Sequence, residues 1–516
     1  MPAMETTTMS RRPATRTRPA RTAAAAAQQA AGVTVRHYCQ GIGDCHLLTF
    51  KKADGTPFRM LIDCGIHVSI AGGPALVGDI VADIRKETGG KIDILVVTHE
   101  HWDHVSGFLT AKDLFKDFVV ADVWMAWTEN PADAEATELD KFKRQAITAL
   151  QGVGQKLDGM QGLSSYMAGV RDGLQSVLGF QFGAAGERVR SARDAAAKLS
   201  QKPSPTYFEP GGPPVSIDGL PNLRVYVLGP PRDKAALRLE EKASEMFPLA
   251  SGGPFARALA SGLKMNEAAD ADYVDELSPF ERNVGTPLSA ALNGDKGSDP
   301  AVDIGAYVRK HYSGPVSAVA AMEDRDQSWR RIDADWMGIA ADLALQLDRG
   351  VNNTSLVLAF EFIDSARVLL FPGDAQIGNW LSWKELKWPV GQGTVTSADL
   401  LARTVYLKVA HHGSQNATPQ KQGFDLLTSP DLSAFIPTNK VDAVKVHWGE
   451  MPYDGILTAL ETKTKGRVIR ADDPWLADKN GKPAFAAPSG SIQAVRSAPR
   501  DAARGPGGLW VEVDLA

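Results

Sequence analysis

Ile92-Asp93-Ile94-Leu95-Val96-Val97-Thr98-His99-Glu100-His101-Trp102-Asp103-His104 is the stretch on which the reading of this chain turns. Its first half is short, apolar and β-branched, which predicts a buried strand that ends at Thr98 and opens into a loop. Its second half packs three imidazoles and the Asp103 carboxylate into six residues, in a chain with only 10 His among 516 residues. Chance histidines on a polar surface loop are a poor account of that density. Neutral imidazole with carboxylate is the ligand set of Zn²⁺, and also of Mn²⁺ or Fe²⁺. Side chains so close in sequence cannot all point one way, so two neighbouring ions are easier to satisfy than one.

Upstream, short apolar runs alternate with glycine. Strands are predicted at Val33-Thr34-Val35, at His46-Leu47-Leu48-Thr49-Phe50 and at Met60-Leu61-Ile62, with Gly41 and Gly43 permitting a tight turn between the first two. A helix over residues 75–87 runs to the stop signal Gly89-Gly90. Strands, then a helix, then a further strand indicate layered α/β architecture. Downstream, residues 118–127 read as a strand, with Trp124 and Trp127 as core or cleft wall. Residues 131–205 switch to Ala, Gln, Lys, Leu and Asp at helical spacing and are read as a helical insertion. A strand at 223–228 is stopped by Gly229-Pro230-Pro231, and a second helix-leaning insertion occupies about 233–349. Strand character returns at 355–362, 368–371, 404–409, 434–437, 467–469 and 509–515, which reads as a second half-sandwich answering the first. No linker isolates a separate domain, so residues 33–516 are expected to be one domain carrying both insertions.

Hydrophobic content of 44% and charged content of 23% are those of an ordinary globular protein. A net charge of −5 excludes a global field that would gather nucleic acid or an anionic membrane, so a polyanion would have to be attracted locally. Cys39, Cys45 and Cys64 are odd in number and sit beside apolar stretches, as small buried residues of a reducing compartment do. A metal-ligand role for Cys64 is the lesser alternative. No apolar stretch approaches the ~18 residues a spanning helix needs, so a soluble, cytoplasmic protein with no membrane partner is expected. Residues 1–32 set Arg11, Arg12, Arg16, Arg18 and Arg21 against the single acid Glu5, without the apolar core of a secretory signal. They read as a disordered basic tail, with an organelle transit peptide as the alternative.

A two-ion centre also needs a carboxylate bridge and a final imidazole. Phe371-Pro372-Gly373-Asp374 places an aspartate at the end of an apolar strand, and Lys408-Val409-Ala410-His411-His412-Gly413-Ser414 repeats the device with two imidazoles. The opening motif resembles the signature of the metallo-β-lactamase superfamily of metal-dependent hydrolases. Gly41-Ile42-Gly43-Asp44, Leu61-Ile62-Asp63-Cys64-Gly65, residues 352–358 and residues 407–414 occur in an order similar to that of the hydrolase domain of ComEC-type DNA-uptake proteins. The closing segments Ala434-Phe435-Ile436-Pro437, Val446-His447-Trp448-Gly449 and Arg467-Val468-Ile469-Arg470-Ala471-Asp472 resemble that subfamily too. The likeness covers about residues 33–128, 222–231 and 350–515, and leaves out the tail and both insertions.

The resemblance implies an α/β fold, the four-layer αββα sandwich of the metallo-β-lactamases, here with two helical insertions. It implies that His99 and His101 hold a first metal, that Asp103 and His104 hold a second, that Asp374 bridges them and that His412 completes the second. His411 is then a supporting group or an alternative ligand, and Asp63 supports a ligand imidazole from the neighbouring strand end. The third imidazole that most members give the first metal has no counterpart here, because His311 stands in the second insertion without a flanking motif and reads better as a surface residue. The run from Asn352 to Ser355 occupies its place. Either a weakly held first ion or a single-ion resting site is consistent with that departure.

Two divalent ions, Zn²⁺ foremost with Mn²⁺ or Fe²⁺ as alternatives, would activate a shared water for hydrolysis. Asp103 would orient that water, His447 would act as general acid or substrate contact, and Lys408, Ser414 and Asn352 would contact an anionic substrate. Lys408 reads equally as the partner of a surface carboxylate, and Ser414 as a turn cap. The expected activity is hydrolysis of a phosphoester or phosphodiester, on a small molecule or a nucleic acid, although composition does not require nucleic acid. Hydrolysis of a carboxylic ester, thioester or lactam is the alternative chemistry. A binding or assembly protein, braced by metal and acting through its helical insertions, is the alternative of another class.

Overall fold

The computed structural model describes residues 32–159, 165–180, 187–238, 350–445, 451–472, 490–504 and 507–515, together with Ala344 and Leu347. The strands are β1 (Val33–Tyr38), β2 (His46–Lys51), β3 (Pro57–Ile62), β4 (Lys91–Val97), β5 (Val119–Ala126), β6 (Thr206–Phe208), β7 (Val215–Ile217), β8 (Leu220–Gly229) and β9 (Val357–Phe362). They continue as β10 (Arg367–Phe371), β11 (Lys387–Val390), β12 (Gly393–Thr396), β13 (Thr404–Lys408), β14 (Ser433–Ile436), β15 (Val468–Arg470), β16 (Ile492–Pro499) and β17 (Gly508–Leu515). The helices are α1 (Gly73–Thr88), α2 (Trp102–Thr110), α3 (Lys112–Phe115), α4 (Ala134–Gly159), α5 (Ser165–Phe180), α6 (Glu187–Ala197) and α7 (Lys234–Arg238), then α8 (Ile377–Ser382), α9 (Ser397–Ala402), α10 (Lys440–Lys445) and α11 (Asp454–Thr464).

Alternation along the strands builds the layers. In β4, Ile94 and Val96 enter the core between the sheets, whereas Leu95 and Val97 face the layer of α1 and α2. In β9, Leu358 and Phe360 point into the same inter-sheet core, and Val357 and Ala359 turn outward to Trp380, Leu400 and Leu460. Helix, sheet, sheet, helix is the four-layer order the resemblance implied. One sheet runs β16-β17-β1-β2-β3-β4-β5-β6 and the other β15-β14-β13-β10-β9-β8-β7, with β11 and β12 forming a separate hairpin.

The second-half-sandwich reading needs one correction. β17 pairs antiparallel with β1, with Val33 opposite Leu515, and so extends the first sheet instead of the second. Its alternating apolar residues fit either sheet, and only the long-range pairing selects one.

Helix α1 stops at Gly89 in the left-handed conformation, as the glycine pair predicts. The first insertion is helical through α4, α5 and α6, ending before β6. Most of the second insertion, the basic tail through residue 31, His311 and His447 lie outside the described residues. Among the described residues no helix is long and apolar enough to cross a membrane. Cys39, Cys45 and Cys64 are all buried free thiols, consistent with their reading as small core residues.

Candidate metal centre

The ends of β3 and β4 place Asp63 and the loop at 99–104, while the ends of β10 and β13 place Asp374 and His412. The two sheets thus deliver their polar side chains to one place. Asp103, His104, Asp374 and His412 bring one ligand atom each within 4.8 Å of one another, all buried. A second such group, Asp44, Asp63 and His104, shares His104 with the first.

His104 is gripped from behind. Its Nδ1 lies 2.8 Å from Asp63 Oδ2, and its Nε2 faces Asp374 Oδ2 at 3.0 Å. Asp63 also accepts from Thr98 through both the backbone N–H, 2.8 Å, and the hydroxyl, 2.6 Å. With Nδ1–H given to a carboxylate, a neutral ring would aim its Nε2 lone pair at a second carboxylate, which is repulsive unless positive charge lies between them. His412 Nε2 is placed similarly, 2.9 Å from Asp103 Oδ2 and 3.2 Å from Asp374 Oδ2. Burial alone would lower both imidazoles, but Asp374 and Asp103 outweigh it, so His104 is raised well above its ordinary value and His412 to about 9.

The fit to a metal cation follows from charge. The centre gathers four buried carboxylates, Asp44, Asp63, Asp103 and Asp374, against one buried ammonium, Lys408, which pairs with Asp44 and Asp374. An excess of buried negative charge is stable only with compensating cations. Asp103 Oδ1 is buried and has no hydrogen-bond partner among the described residues. Imidazole and carboxylate donors at this spacing suit Zn²⁺ or another first-row divalent ion.

His99 and His101 lie beside the four-residue group. Their Nε2 and Nδ1 atoms are 3.1 Å apart, and the His99 and His104 ring centroids are 4.2 Å apart. They belong to neither donor group. Burial holds His99 well below its ordinary value and His101 at about 3, so both stay neutral, the state in which imidazole binds metal.

Lys408 does not stand ready for a substrate oxygen. Its ammonium, 1% exposed, pairs with Asp44 and with Asp374 Oδ1 at 3.3 Å and donates to the Gly373 carbonyl at 2.9 Å. Neither is it the partner of a surface carboxylate, since both of its acids are buried. An ammonium has three donors, and these three acceptors use them. Ser414 likewise donates to Asn416 Oδ1 at 2.7 Å and lies 2.5 Å from His411 Nδ1. His411 sits between amides, with Gln376 Nε2 3.1 Å from Nδ1 and Asn352 Nδ2 3.3 Å from Nε2. Burial lowers its imidazole to about 4. The side-chain carbonyl oxygens of Asn352 and Gln376 are buried with no hydrogen-bond partner among the described residues, so this wall of the centre retains acceptor capacity.

The backbone is shaped for these placements. His411 and His412 have φ of 40° and 56°, a left-handed pair that turns the chain sharply after β13, and the His412 carbonyl is pinned by Thr438 Oγ1 at 2.8 Å. Beneath the opening motif, a Cβ on Gly65 would lie 2.2 Å from the Asp103 carbonyl oxygen, and one on Gly43 2.6 Å from that same atom. Glycine at both positions lets two loops pack against one peptide at the start of α2.

Several contributors escaped the sequence reading. Asp44 was part of a quoted motif but had no role until its pairing with Lys408 appeared. Gln376 follows Asp374 by two residues, a spacing that offered a signal. His37 and His46 form a buried chain, with their Nδ1 atoms 3.0 Å apart and Tyr406 Oη 2.7 Å from His37 Nε2, across the two sheets. Nothing local marks that contact.

A family model described as the metallo-beta-lactamase superfamily matches residues 47–136, from β2 through the motif loop to the first turn of α4. Searches of curated proteins and of solved structures gave no match. The mixed α/β architecture is consistent with the sandwich of that superfamily.

Proposed function

We propose that this chain is a metal-dependent hydrolase of phosphoesters or phosphodiesters, centred on Asp103, His104, Asp374 and His412 with His99 and His101 beside them. The observation that carries the reading is the convergence of these four buried donors from the ends of two different sheets. The superfamily match across the opening motif supports it. Divalent metal bound there supplies a Lewis acid and a nucleophile at neutral pH by acidifying water.

The chain's own residues do the rest. Asp63 fixes the His104 ring so that Nε2 faces the centre. Asp374, placed between His104 and His412, can offer its carboxylate to two ions, while Lys408 holds its other oxygen. Asp103 keeps one oxygen against His412 and the other unengaged by hydrogen bonds among the described residues, which suits it to orient a water. Asn352, Gln376 and His411 line the adjoining wall and would contact the substrate. The preference for phosphorus rests on the likeness of the ordered motifs to ComEC-type hydrolase domains, and nucleic acid is one substrate to be tested.

Metal analysis of the purified chain should find transition metal, and His101→Ala and Asp374→Ala should each abolish turnover of a generic phosphodiester. Model phosphoesters, carboxylic esters, thioesters, a lactam and single-stranded DNA, assayed together, rank the substrate classes. Undiminished phosphodiester hydrolysis by Asp374→Ala after chelation would refute the proposal.

A further inference from the structure

Glu100 sits between two imidazoles of the motif, yet its carboxylate bonds to neither. It is 1% exposed, and both of its cationic partners come from the first insertion: Lys143 Nζ on α4 at 2.6 Å and Arg193 Nη1 on α6 at 2.8 Å. Arg193 Nη1 also reaches Glu129 at 2.8 Å and its Nη2 reaches Asp194 at 2.8 Å, while Lys143 Nζ lies 3.9 Å from Asp140, so Glu100 is held within a wider network of acids and cations. Burial alone would raise the Glu100 carboxyl, but Lys143 and Arg193 hold it down at about 2. Helix α6 meets the same segment a second way. Its Val189, Ala192 and Ala196 are buried with Trp102, Val105 and Phe108 of α2, and the Arg188 guanidinium lies over the Trp102 ring at 4.7 Å.

We propose that Glu100 is a positioning residue, through which the first insertion sets the backbone between His99 and His101 and thereby the donor geometry of that half of the centre. The inference rests on reading the centre as a metal site. The peptides on either side of Glu100 carry the two imidazoles, so anchoring its side chain removes the freedom of both. A buried carboxylate released from its cations has no solvent to turn to, which makes the anchor stiff. The insertion is then part of the site and not an appendage to it.

The test strips the full chain with a chelator and titrates Zn²⁺ back against a chromophoric competitor, in wild type, Glu100→Gln, Lys143→Met and Arg193→Lys. Wild type should bind two equivalents. Glu100→Gln and Lys143→Met should weaken one of them by about 10- to 100-fold, the effect typical of groups that orient ligands, and leave the other unchanged. Arg193→Lys, which keeps a cation between Glu100 and Glu129, should retain most of the wild-type affinity. A merely structural role would lower the melting temperature without separating the two ions. Because a lone buried charge can prevent folding, Glu100→Leu with Lys143→Met removes one acid and one cation together and leaves Arg193 paired with Glu129. Loss of the same ion in that double variant supports the proposal. Unchanged affinities throughout, or equal weakening of both ions, overturn it. A wild-type chain that takes up no Zn²⁺ overturns the metal reading itself and the inference with it, a result distinct from metal uptake that ignores the substitutions.

Discussion

His104 and His412 lie against carboxylates, whereas His99 and His101 lie against each other, and the two pairs are driven in opposite directions. Asp374 and Asp103 raise the first pair against the opposing effect of burial. In the second pair burial prevails, and neighbouring imidazoles add to it. Four side chains of one type therefore form a half that demands positive charge and a half that merely offers lone pairs. On the proposed two-ion reading, the carboxylates that stand behind each ring would set cation affinity, and the four-donor half should hold its ion more tightly than the half at His99 and His101.

Removing a carboxylate from behind the tight half should have the largest effect. Asp63→Ala leaves the His104 ring without its 2.8 Å partner and frees Thr98, and should weaken the tighter ion by about 10- to 100-fold in a competition titration. An unchanged tight ion, with the loosely held one lost, would invert the comparison.

The pH dependence of the chelator-treated chain sharpens the contrast further. His412 is raised to about 9 from 6.5, so its contribution to stability is complete below pH 6.5 and is lost as pH rises through 9. His101 is lowered to about 3, so the unfolded chain takes up its proton first and stability falls as pH drops from 6.5 toward 3. Urea unfolding across pH 5 to 9 should show the wild-type advantage over His412→Gln shrinking toward high pH, and the advantage over His101→Gln shrinking toward low pH. Parallel profiles for the two variants would erase the distinction.

The smallest effect is expected on the amide-lined wall. Ser414→Ala removes a hydroxyl that donates to Asn416 and neighbours His411, and should cost about 1 kcal/mol of stability by denaturant titration without changing metal content.

Much of this architecture was legible because its signals are local. The strand closed by Thr98, the glycine stop after α1 and the helical texture of residues 131–205 each follow from a few adjacent residues, as did the nomination of Asp374 and of the His411-His412 pair at strand ends, whereas the choice of His412 within that pair came from the resemblance. The pairing of Lys408 was not legible because a lysine between apolar residues looks the same whether it meets a substrate or a buried acid, and the acid, Asp44, lies more than 360 positions away. Glu100 had no role in the sequence reading, since its partners Lys143 and Arg193 belong to helices whose docking is not written in their periodicity.

Sequence alone pointed to a cluster of metal-ligand type, because imidazoles and carboxylates crowded at a strand end are the donor set of divalent cations, and it set which faces are buried, because apolar alternation dictates them. The tertiary structure alone decided which carboxylate stands behind which ring, which sheet receives β17, and that helix α6 reaches the motif loop. Those outcomes depend on charges and edges brought together from distant parts of the chain, where the energy of an ion pair is fixed by distance and burial that no single segment encodes.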